Sequence, residues 1–216
     1  QHEPACVKRF AELSDEILFR HPESTHLGDC PICFLPLEID PYKSTLQLQS
    51  CCSKVICNGC CYANNIREQN ASMKQTCPFC RKLEPATKAK ADANIMKRVE
   101  ANDPFSTRFV GIRCYERGDY RSAFEYLTKA ARLENAAAHY RLSVMYRKGE
   151  GVEKDEKTEV YHLEEAAIAG HPTARYNIGA IEWNNDSKER AVKHYIIAAN
   201  HGNTKSVEML KQDYKG

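Results

Sequence analysis

Cysteine placement constrains this chain more than any other sequence feature. Nine of the eleven cysteines lie between Cys30 and Cys80, and only Cys6 and Cys114 lie outside that block. A secreted disulfide scaffold more often spreads an even number of cysteines through its whole fold. A dense cluster beside a long region that is nearly free of cysteine favours metal binding in a reducing compartment. The sequence therefore predicts an intracellular protein, cytoplasmic or nuclear, whose clustered cysteines are metal ligands.

The clustered cysteines form four pairs along the chain: Cys30-x2-Cys33, Cys51-Cys52, Cys57-x2-Cys60 and Cys77-x2-Cys80. Zinc binds four thiolates tetrahedrally, and such a site is structural because it leaves no position for water. No histidine occurs between His26 and His139, so the ligands are expected to be cysteine alone. Eight thiolates indicate two structural zinc ions. A short segment of this composition needs them, because it buries too little surface to fold unaided.

The residues around the pairs resemble a RING finger over residues 27–84. The resemblance is carried by three stretches: Cys30-Pro31-Ile32-Cys33, Val55-Ile56-Cys57-x-x-Cys60 and Cys77-Pro78-Phe79-Cys80-Arg81. In RING fingers the first and third ligand pairs share one zinc, and the second and fourth share the other. The resemblance thus implies a cross-braced domain with two sites: Cys30, Cys33, Cys57 and Cys60 in the first, and Cys51, Cys52, Cys77 and Cys80 in the second.

This sequence departs from the usual RING pattern at the ligands themselves. The histidine ligand is absent, as in the all-cysteine subgroup of the family. Cys51 and Cys52 are adjacent, where one residue usually intervenes, and Cys61 directly follows Cys60. The ligand choice within these two doublets stays open, although only Cys60 keeps the two-residue spacing from Cys57. Cys61 is expected to be a buried free thiol.

The RING resemblance also implies an activity and a partner. RING fingers bind a ubiquitin-conjugating enzyme and position its ubiquitin thioester for attack, with no covalent intermediate and no catalytic side chain of their own. Ile32 matches the family's apolar contact to that enzyme, Pro78 matches the proline of the opposite loop, and Arg81 matches the basic linchpin. Each has a simpler interpretation: Ile32 and Pro78 shape their loops, and Arg81 is a solvated charge. The usual apolar residue of the central helix is replaced by Asn64.

The chain from about residue 92 onward has a helical pattern with internal repeats. Leu127, Ala130 and Ala131 recur 36 residues later as Leu163, Ala166 and Ala167, and Tyr140 recurs as Tyr176. A second interval of 32 residues relates Leu163 to Tyr195. Periods in this range are typical of stacked helix pairs that bury a shared core. Five histidines fall in this region and are expected to be surface or packing residues: His139, His162, His171, His194 and His201.

The repeats resemble the Sel-one-like repeat, a relative of the tetratricopeptide repeat. Ala138-His139-Tyr140-Arg141-Leu142, the Gly149-Glu150-Gly151-Val152 turn and the capping Asp155 carry the match. It covers about residues 104–202 as nearly three units, with Thr204–Leu210 as a capping helix. The resemblance implies an interaction scaffold that holds a substrate or an adaptor protein. The expected fold is thus a small cross-braced two-zinc RING-like domain joined to an all-α solenoid of helix-pair repeats.

Four segments follow from these patterns: an N-terminal segment with a short helix (1–26), the zinc finger (27–84), a helical linker (85–103) and the repeats (104–216). The short helix, with Ser14 as its cap, is expected to pack on the next domain.

A net charge of +2 favours neither nucleic acid nor an anionic membrane as a partner. No apolar run approaches the 18 or so residues of a membrane span. The combination predicts a RING-type ubiquitin ligase, with a non-enzymatic zinc-containing scaffold as the alternative. A related finger that reads histone tails usually keeps a histidine ligand and an aromatic cage, and neither is seen.

Overall fold

The computed structural model describes residues 15–37 and 46–213. Contacts divide the chain into two compact units. The cysteine unit comprises Leu27–Thr107, and the array unit comprises the chain from Arg108 onward together with the N-terminal segment that ends at His26. Residues 85–103, predicted as a linker, therefore fall within the cysteine unit.

Ten helices and two strands are present in the residues that the structure describes. In chain order they are α1 (Asp15–Leu18), β1 (Leu46–Leu48), β2 (Val55–Cys57), α2 (Asn58–Asn70), α3 (Lys88–Glu100), α4 (Pro104–Glu116), α5 (Tyr120–Arg132), α6 (Ala136–Lys148), α7 (Glu156–Ile168), α8 (Pro172–Asn184), α9 (Lys188–Asn200) and α10 (Thr204–Asp213). No helix in these ranges is both long enough and apolar enough to cross a bilayer.

The cysteine unit has a very small apolar core. β1 pairs antiparallel with β2, and α2 follows β2 directly. The buried residues of this core are Cys30, Leu37, Ile56 and Cys61. Two isolated bridges, Asp29 with Pro36 and Thr76 with Leu83, close the loops that carry the first and last cysteine pairs. So few buried side chains stabilise a fold only weakly, which is why ligation of the cysteines matters here.

Helices α3 and α4 are tied by hydrogen bonds to the turn that carries Cys51 and Cys52. The Arg98 guanidinium donates to the backbone carbonyl of Cys51 at 2.5 Å. The hydroxyls of Ser53 and Ser106 lie 2.9 Å apart and are buried. These bonds explain why the segment after the last cysteine pair belongs to this unit rather than standing apart as a linker.

The array unit is a series of stacked antiparallel helices. Helices α4 to α9 each contain 13 residues, and the most extensive contacts are between α6 and α7 and between α8 and α9. The predicted repeat positions form its core: Leu127, Ala130 and Ala131 are buried on α5, and Leu163, Ala166 and Ala167 on α7. The predicted all-α solenoid of helix pairs is confirmed for this region.

Short polar side chains and glycines define where the array helices begin and end. Asp119, Asn135 and Asp155 each accept a hydrogen bond from the backbone amide three residues ahead, at 3.1, 3.0 and 3.2 Å. These contacts satisfy amide groups that a helix start leaves without partners. Gly151 has φ +76°, and a Cβ there would lie 2.4 Å from the Tyr120 carbonyl oxygen. Only glycine fits this turn.

The N-terminal residues 15–26, here called the strap, lie on the array unit. Helix α1 packs against α7, with Leu18 buried and Ile17 exposed. The expectation that this helix packs on the next domain along the chain is thus corrected, because its buried side meets the repeats. Ser14, the predicted cap, lies outside the described residues.

Candidate metal centres and interaction surfaces

The first candidate metal centre joins the loop after Asp29 to the start of α2. Its four sulfurs lie within 4.8 Å of one another and belong to Cys30, Cys33, Cys57 and Cys60. The Cys57 sulfur also accepts a hydrogen bond from the Cys60 amide at 3.4 Å, which caps α2. The strand-to-helix junction therefore places one cysteine pair, and the bridged loop places the other.

The second candidate centre joins the turn after β1 to the bridged loop before α3. Its four sulfurs also lie within 4.8 Å of one another and belong to Cys51, Cys52, Cys77 and Cys80. Cys51 and Cys80 sulfurs are 3.3 Å apart, and Cys52 and Cys77 sulfurs are 3.9 Å apart. Both cysteines of the adjacent pair take part. The pairs alternate along the chain between the two centres, as the RING resemblance implies.

The donor set of each centre fits a tetrahedral divalent ion. Four thiolates at about 2.3 Å from zinc lie about 3.8 Å from one another, and Cys33 and Cys57 sulfurs are 3.9 Å apart. None of the ten cysteines in the described residues forms a disulfide. With four sulfur ligands and no open position, either centre suits a structural ion rather than a catalytic one.

Burial and crowding make four unbound thiolates unfavourable in either centre. Burial raises the pKa of Cys52 to about 11, and burial also raises the pKa values of Cys51 and Cys60. One cysteine in each centre differs. Burial opposes ionisation of both, but backbone amides of Cys33 and Cys57 bring the pKa of Cys30 down to about 6, and the Lys82 amide lowers the pKa of Cys80. A bound cation would stabilise all four thiolates and release the remaining protons.

The structure separates the members of the Cys60–Cys61 doublet. Cys60 lies in the first centre, whereas Cys61 is buried in the core of the cysteine unit and its sulfur accepts a bond from Gln49 at 3.7 Å. Burial raises the pKa of Cys61 to about 11, which keeps it a neutral thiol.

The three side chains matched to the RING contact surface differ in exposure. Ile32, between the ligands of the first centre, is 37% exposed, and Arg81 is exposed just after the last ligand. Pro78 is buried, whereas Phe79 beside it is 43% exposed. The loop therefore turns Phe79 outward and Pro78 inward, which sequence matching alone did not indicate.

Asn64 is a site residue whose role the sequence reasoning missed. Its side chain is 7% exposed, and its amide nitrogen donates to the Thr76 carbonyl at 3.0 Å. Its oxygen accepts from Arg81 Nη1 at 2.8 Å and from Arg67 Nη2 at 3.1 Å. The next turn of α2 adds Glu68, which accepts bonds from the Thr76 hydroxyl and amide that lower its pKa. Asn64 thus links α2, the last cysteine loop and Arg81.

The array unit carries a separate candidate surface, a groove of 1480 Å³ lined by α5, α6 and α7. Aromatic rings line it, with Tyr146 stacked on His162 and Phe124 edge-on to Tyr146. His139 Nδ1 and His162 Nδ1 lie 2.9 Å apart, so one ring nitrogen donates to the other. A groove of this size with aromatic walls suits a protein or peptide partner.

The Sel1 repeat family matches the helical region in three segments, residues 105–135, 136–171 and 175–203. They correspond to the helix pairs α4–α5, α6–α7 and α8–α9, and all three follow the last cysteine pair. The array unit therefore consists of Sel1 repeats, which indicate a protein-interaction scaffold.

A solved structure of a Sel1 repeat protein agrees with this result for the array. The chain is similar to a Sel1 repeat protein from Oxalobacter formigenes, with 28% identity and a TM-score of 0.50 over 56% of this chain and 96% of that one. It is also similar to a protective antigen with an SLR fold from uropathogenic Escherichia coli strains, at 21% identity and a TM-score of 0.48. That alignment covers 68% of this chain and 31% of the antigen. No curated protein matches the chain.

Proposed function

We propose that this protein is a RING-type ubiquitin ligase. Its cysteine unit binds two structural zinc ions and recruits a ubiquitin-conjugating enzyme, and its Sel1 repeats hold a substrate or an adaptor protein. The observation that carries the proposal is the alternation of the four cysteine pairs between two sulfur tetrads. This crossed order is the ligand arrangement of RING fingers, and a reducing compartment, cytoplasmic or nuclear, keeps the thiols available.

The contact with the conjugating enzyme is assigned to the loops of the two tetrads. Ile32 projects between ligands of the first tetrad, so its side chain is exposed without being needed for ligation. Phe79 is exposed on the second loop, which the buried Pro78 shapes from within. An exposed apolar residue on each of two rigid loops suits a small interface in which few side chains supply most of the affinity.

Arg81 is assigned the linchpin role, in which it contacts the conjugating enzyme and its ubiquitin together. The guanidinium offers five donors in a planar fork, and Asn64 accepts one of them at 2.8 Å. Arg81 is exposed, so its remaining donors are available to both partners. Catalysis is then by positioning, since restricting the thioester to a reactive geometry accelerates attack by a lysine amine. Bound zinc supplies rigidity to the loops and takes no part in bond making.

Ubiquitin transfer reconstituted with a panel of conjugating enzymes tests the proposal. Wild-type protein is expected to form polyubiquitin with at least one of them, and Ile32→Ala is expected to weaken that enzyme's binding about 30-fold, since an anchor residue is worth about 2 kcal/mol. Ile196→Ala is the matched control, because Ile196 is 43% exposed but lies on α9 in the array unit.

Zinc content and melting temperature should be unchanged in both variants. A wild-type protein that supports no transfer with any enzyme of the panel contradicts the ligase assignment. Equal loss in the Ile32 and Ile196 variants contradicts the assigned contact.

The second candidate function is a non-enzymatic scaffold that uses the zinc unit only for binding. Two observations favour it: Asn64 replaces the apolar residue of the central helix, and Pro78 is buried. Protein partners retained by the array without ubiquitin transfer would support this alternative.

A further inference from the structure

The strap is bound along the array unit much as a peptide ligand would be. Arg175 donates to the Leu18 carbonyl, and His201 Nε2 lies 3.1 Å from the Pro22 carbonyl oxygen. Asp15 forms an ion pair with Arg190. Side chains of α8, α9 and the turn after α9 therefore contact backbone carbonyls and one acidic side chain of the strap.

One aromatic side chain of the strap is held at the centre of this face. The Phe19 ring lies 5.1 Å from Arg190 and 5.1 Å from Lys193, both placed over its π face, and 4.7 Å from the His194 ring. His194 is fully buried, and neither of its ring nitrogens has a hydrogen-bond partner among the described residues. Cations over an aromatic face attract it more strongly when water is excluded.

The array side of this contact carries the cations of Arg175, Arg190 and Lys193, and Glu182 pairs with Arg190 at 3.0 Å. The strap face is defined here by Arg175, Arg190, Lys193, His194 and His201. Arg175 is 2% exposed with the strap in place, and its second guanidinium nitrogen donates to the Ala167 carbonyl at 2.8 Å. Ala167 holds one side of the guanidinium, so an occupant that presents a carbonyl in the place of Leu18 would recover the second hydrogen bond.

We propose that the strap face is a peptide-binding site that the strap closes in cis and that a partner protein occupies in trans. The partner segment has the chemistry of the strap itself: an acidic residue, then Leu-Phe three residues later, with the backbone carbonyl of the leucine exposed. This site lies on α8 and α9 and is independent of the ligase assignment.

A partner can displace the strap because little of the strap is buried. Of its residues 15–22 only Leu18 is fully buried, and Ile17 is 47% exposed. A tethered segment benefits from an effective concentration in the millimolar range, so modest contacts suffice to keep it bound. A partner segment can occupy the strap face when the strap is loosened, or when the segment binds that face more tightly than the strap does.

Peptide binding to the full chain tests the site. The probe is a fluorescent peptide of residues 15–22, capped at both ends and followed by polarisation. The variant Leu18→Lys/Phe19→Lys repels its own strap from Arg175, Arg190 and Lys193, and it should bind the probe about tenfold more tightly than wild type because the internal competitor is lost. Ile17→Lys/His21→Lys is the control, since it adds two lysines at exposed strap positions and should behave as wild type.

A pair of glycine variants provides a second way to loosen the strap without changing its sequence. A Cβ at Gly170 would lie 2.9 Å from the Ser24 carbonyl oxygen and 3.3 Å from the His26 nitrogen, whereas a Cβ at Gly202 has nothing within 4 Å. Both glycines have nearly equal positive φ, +82° and +85°, so their backbone strain is matched. Gly170→Ala should therefore bind the probe more tightly than Gly202→Ala, because the probe ends before Ser24.

Three results would overturn the proposal. The first is a strap-opened chain that keeps its helical circular dichroism yet does not bind the probe, which makes the strap a purely structural part of the array. The second is equal probe affinity in wild type and both opened variants, which places the probe elsewhere. The third is a wild-type dimer that the probe converts to monomer, which assigns the face to the strap of a second copy.

Discussion

The Asn64 side chain joins residues that are distant in sequence, and for that reason its role was not predictable. Its partners Thr76 and Arg81 lie 12 and 17 residues further along the chain. From sequence, Asn64 was only a mismatch at a position where RING fingers carry an apolar residue. Pro78 was likewise matched by position, yet the fold of its loop buries it. Motif position predicted Ile32 and Arg81 as exposed, because loop residues beside ligands have little core to enter.

We predict that Asn64 acts as a positioning residue for Arg81 in ubiquitin transfer. Asn64→Ala removes the acceptor of a charge-assisted hydrogen bond, worth about 1.5–3 kcal/mol. The single-turnover rate of ubiquitin discharge to free lysine should fall about tenfold at saturating conjugating enzyme, since 1.4 kcal/mol corresponds to a factor of ten. The half-saturating concentration and the zinc content should stay near wild type.

Arg67→Ala serves as the matched control for that measurement. Arg67 also donates to the Asn64 oxygen, at 3.1 Å, but it has no assigned contact with ubiquitin. An equal fall in rate for both variants, or a change confined to the half-saturating concentration, would show that Asn64 acts through general stability instead.

At the scale of elements, the helix pairs were predictable and their long-range contacts were not. The 36-residue recurrence of Leu127 as Leu163 gave the register of the core, and Asp155 gave a helix start, because both depend on local spacing. Helices α1 and α7 contact each other although more than a hundred residues separate them in the chain. No local sequence pattern indicates such a contact. The array histidines, predicted as surface or packing residues, include two that are buried, His171 and His194.

Buried and half-buried histidines should make the array unit sensitive to acid. Burial lowers the pKa of His162 and His194 to about 3 and of His26 to about 4, and it holds the pKa of His171 well below 6.5. His171 Nδ1 also accepts the Ala174 amide, so protonation removes a helix cap. The unfolded chain takes up these protons near pH 6.5, so stability is complete above that pH and falls below it. One such histidine costs about 2 kcal/mol at pH 5.

Thermal unfolding followed by the fluorescence of Trp183 measures this effect in the array alone. Trp183 is the single tryptophan and lies on α8. The melting temperature should fall between pH 7.5 and pH 5. His194→Phe should reduce that fall, whereas the same change at the exposed His21 should not. An array that melts at the same temperature at both pH values would contradict the account.

At the scale of the whole molecule, the array unit and the cysteine unit are stabilised in different ways. The array buries repeated apolar side chains, and helical periodicity is enough to predict that. The cysteine unit has only a small buried core, so its order depends on which sulfurs share an ion. Cysteine spacing predicted eight ligands and two ions. It did not indicate whether each ion is bound by two pairs that are neighbours in the sequence or by alternate pairs. Only the RING resemblance implied the alternation that the structure has.

Zinc stoichiometry in two double variants tests the crossed tetrads most directly. Native mass spectrometry in a reducing buffer should give two zinc ions for wild type. Cys33→Ser/Cys57→Ser alters two ligands of one tetrad, so one zinc should remain, whereas Cys33→Ser/Cys52→Ser alters one ligand of each tetrad, so none should remain. The reverse pattern, no zinc in the first variant and one in the second, would mean that neighbouring pairs share an ion and would contradict the cross-braced domain on which the ligase proposal rests.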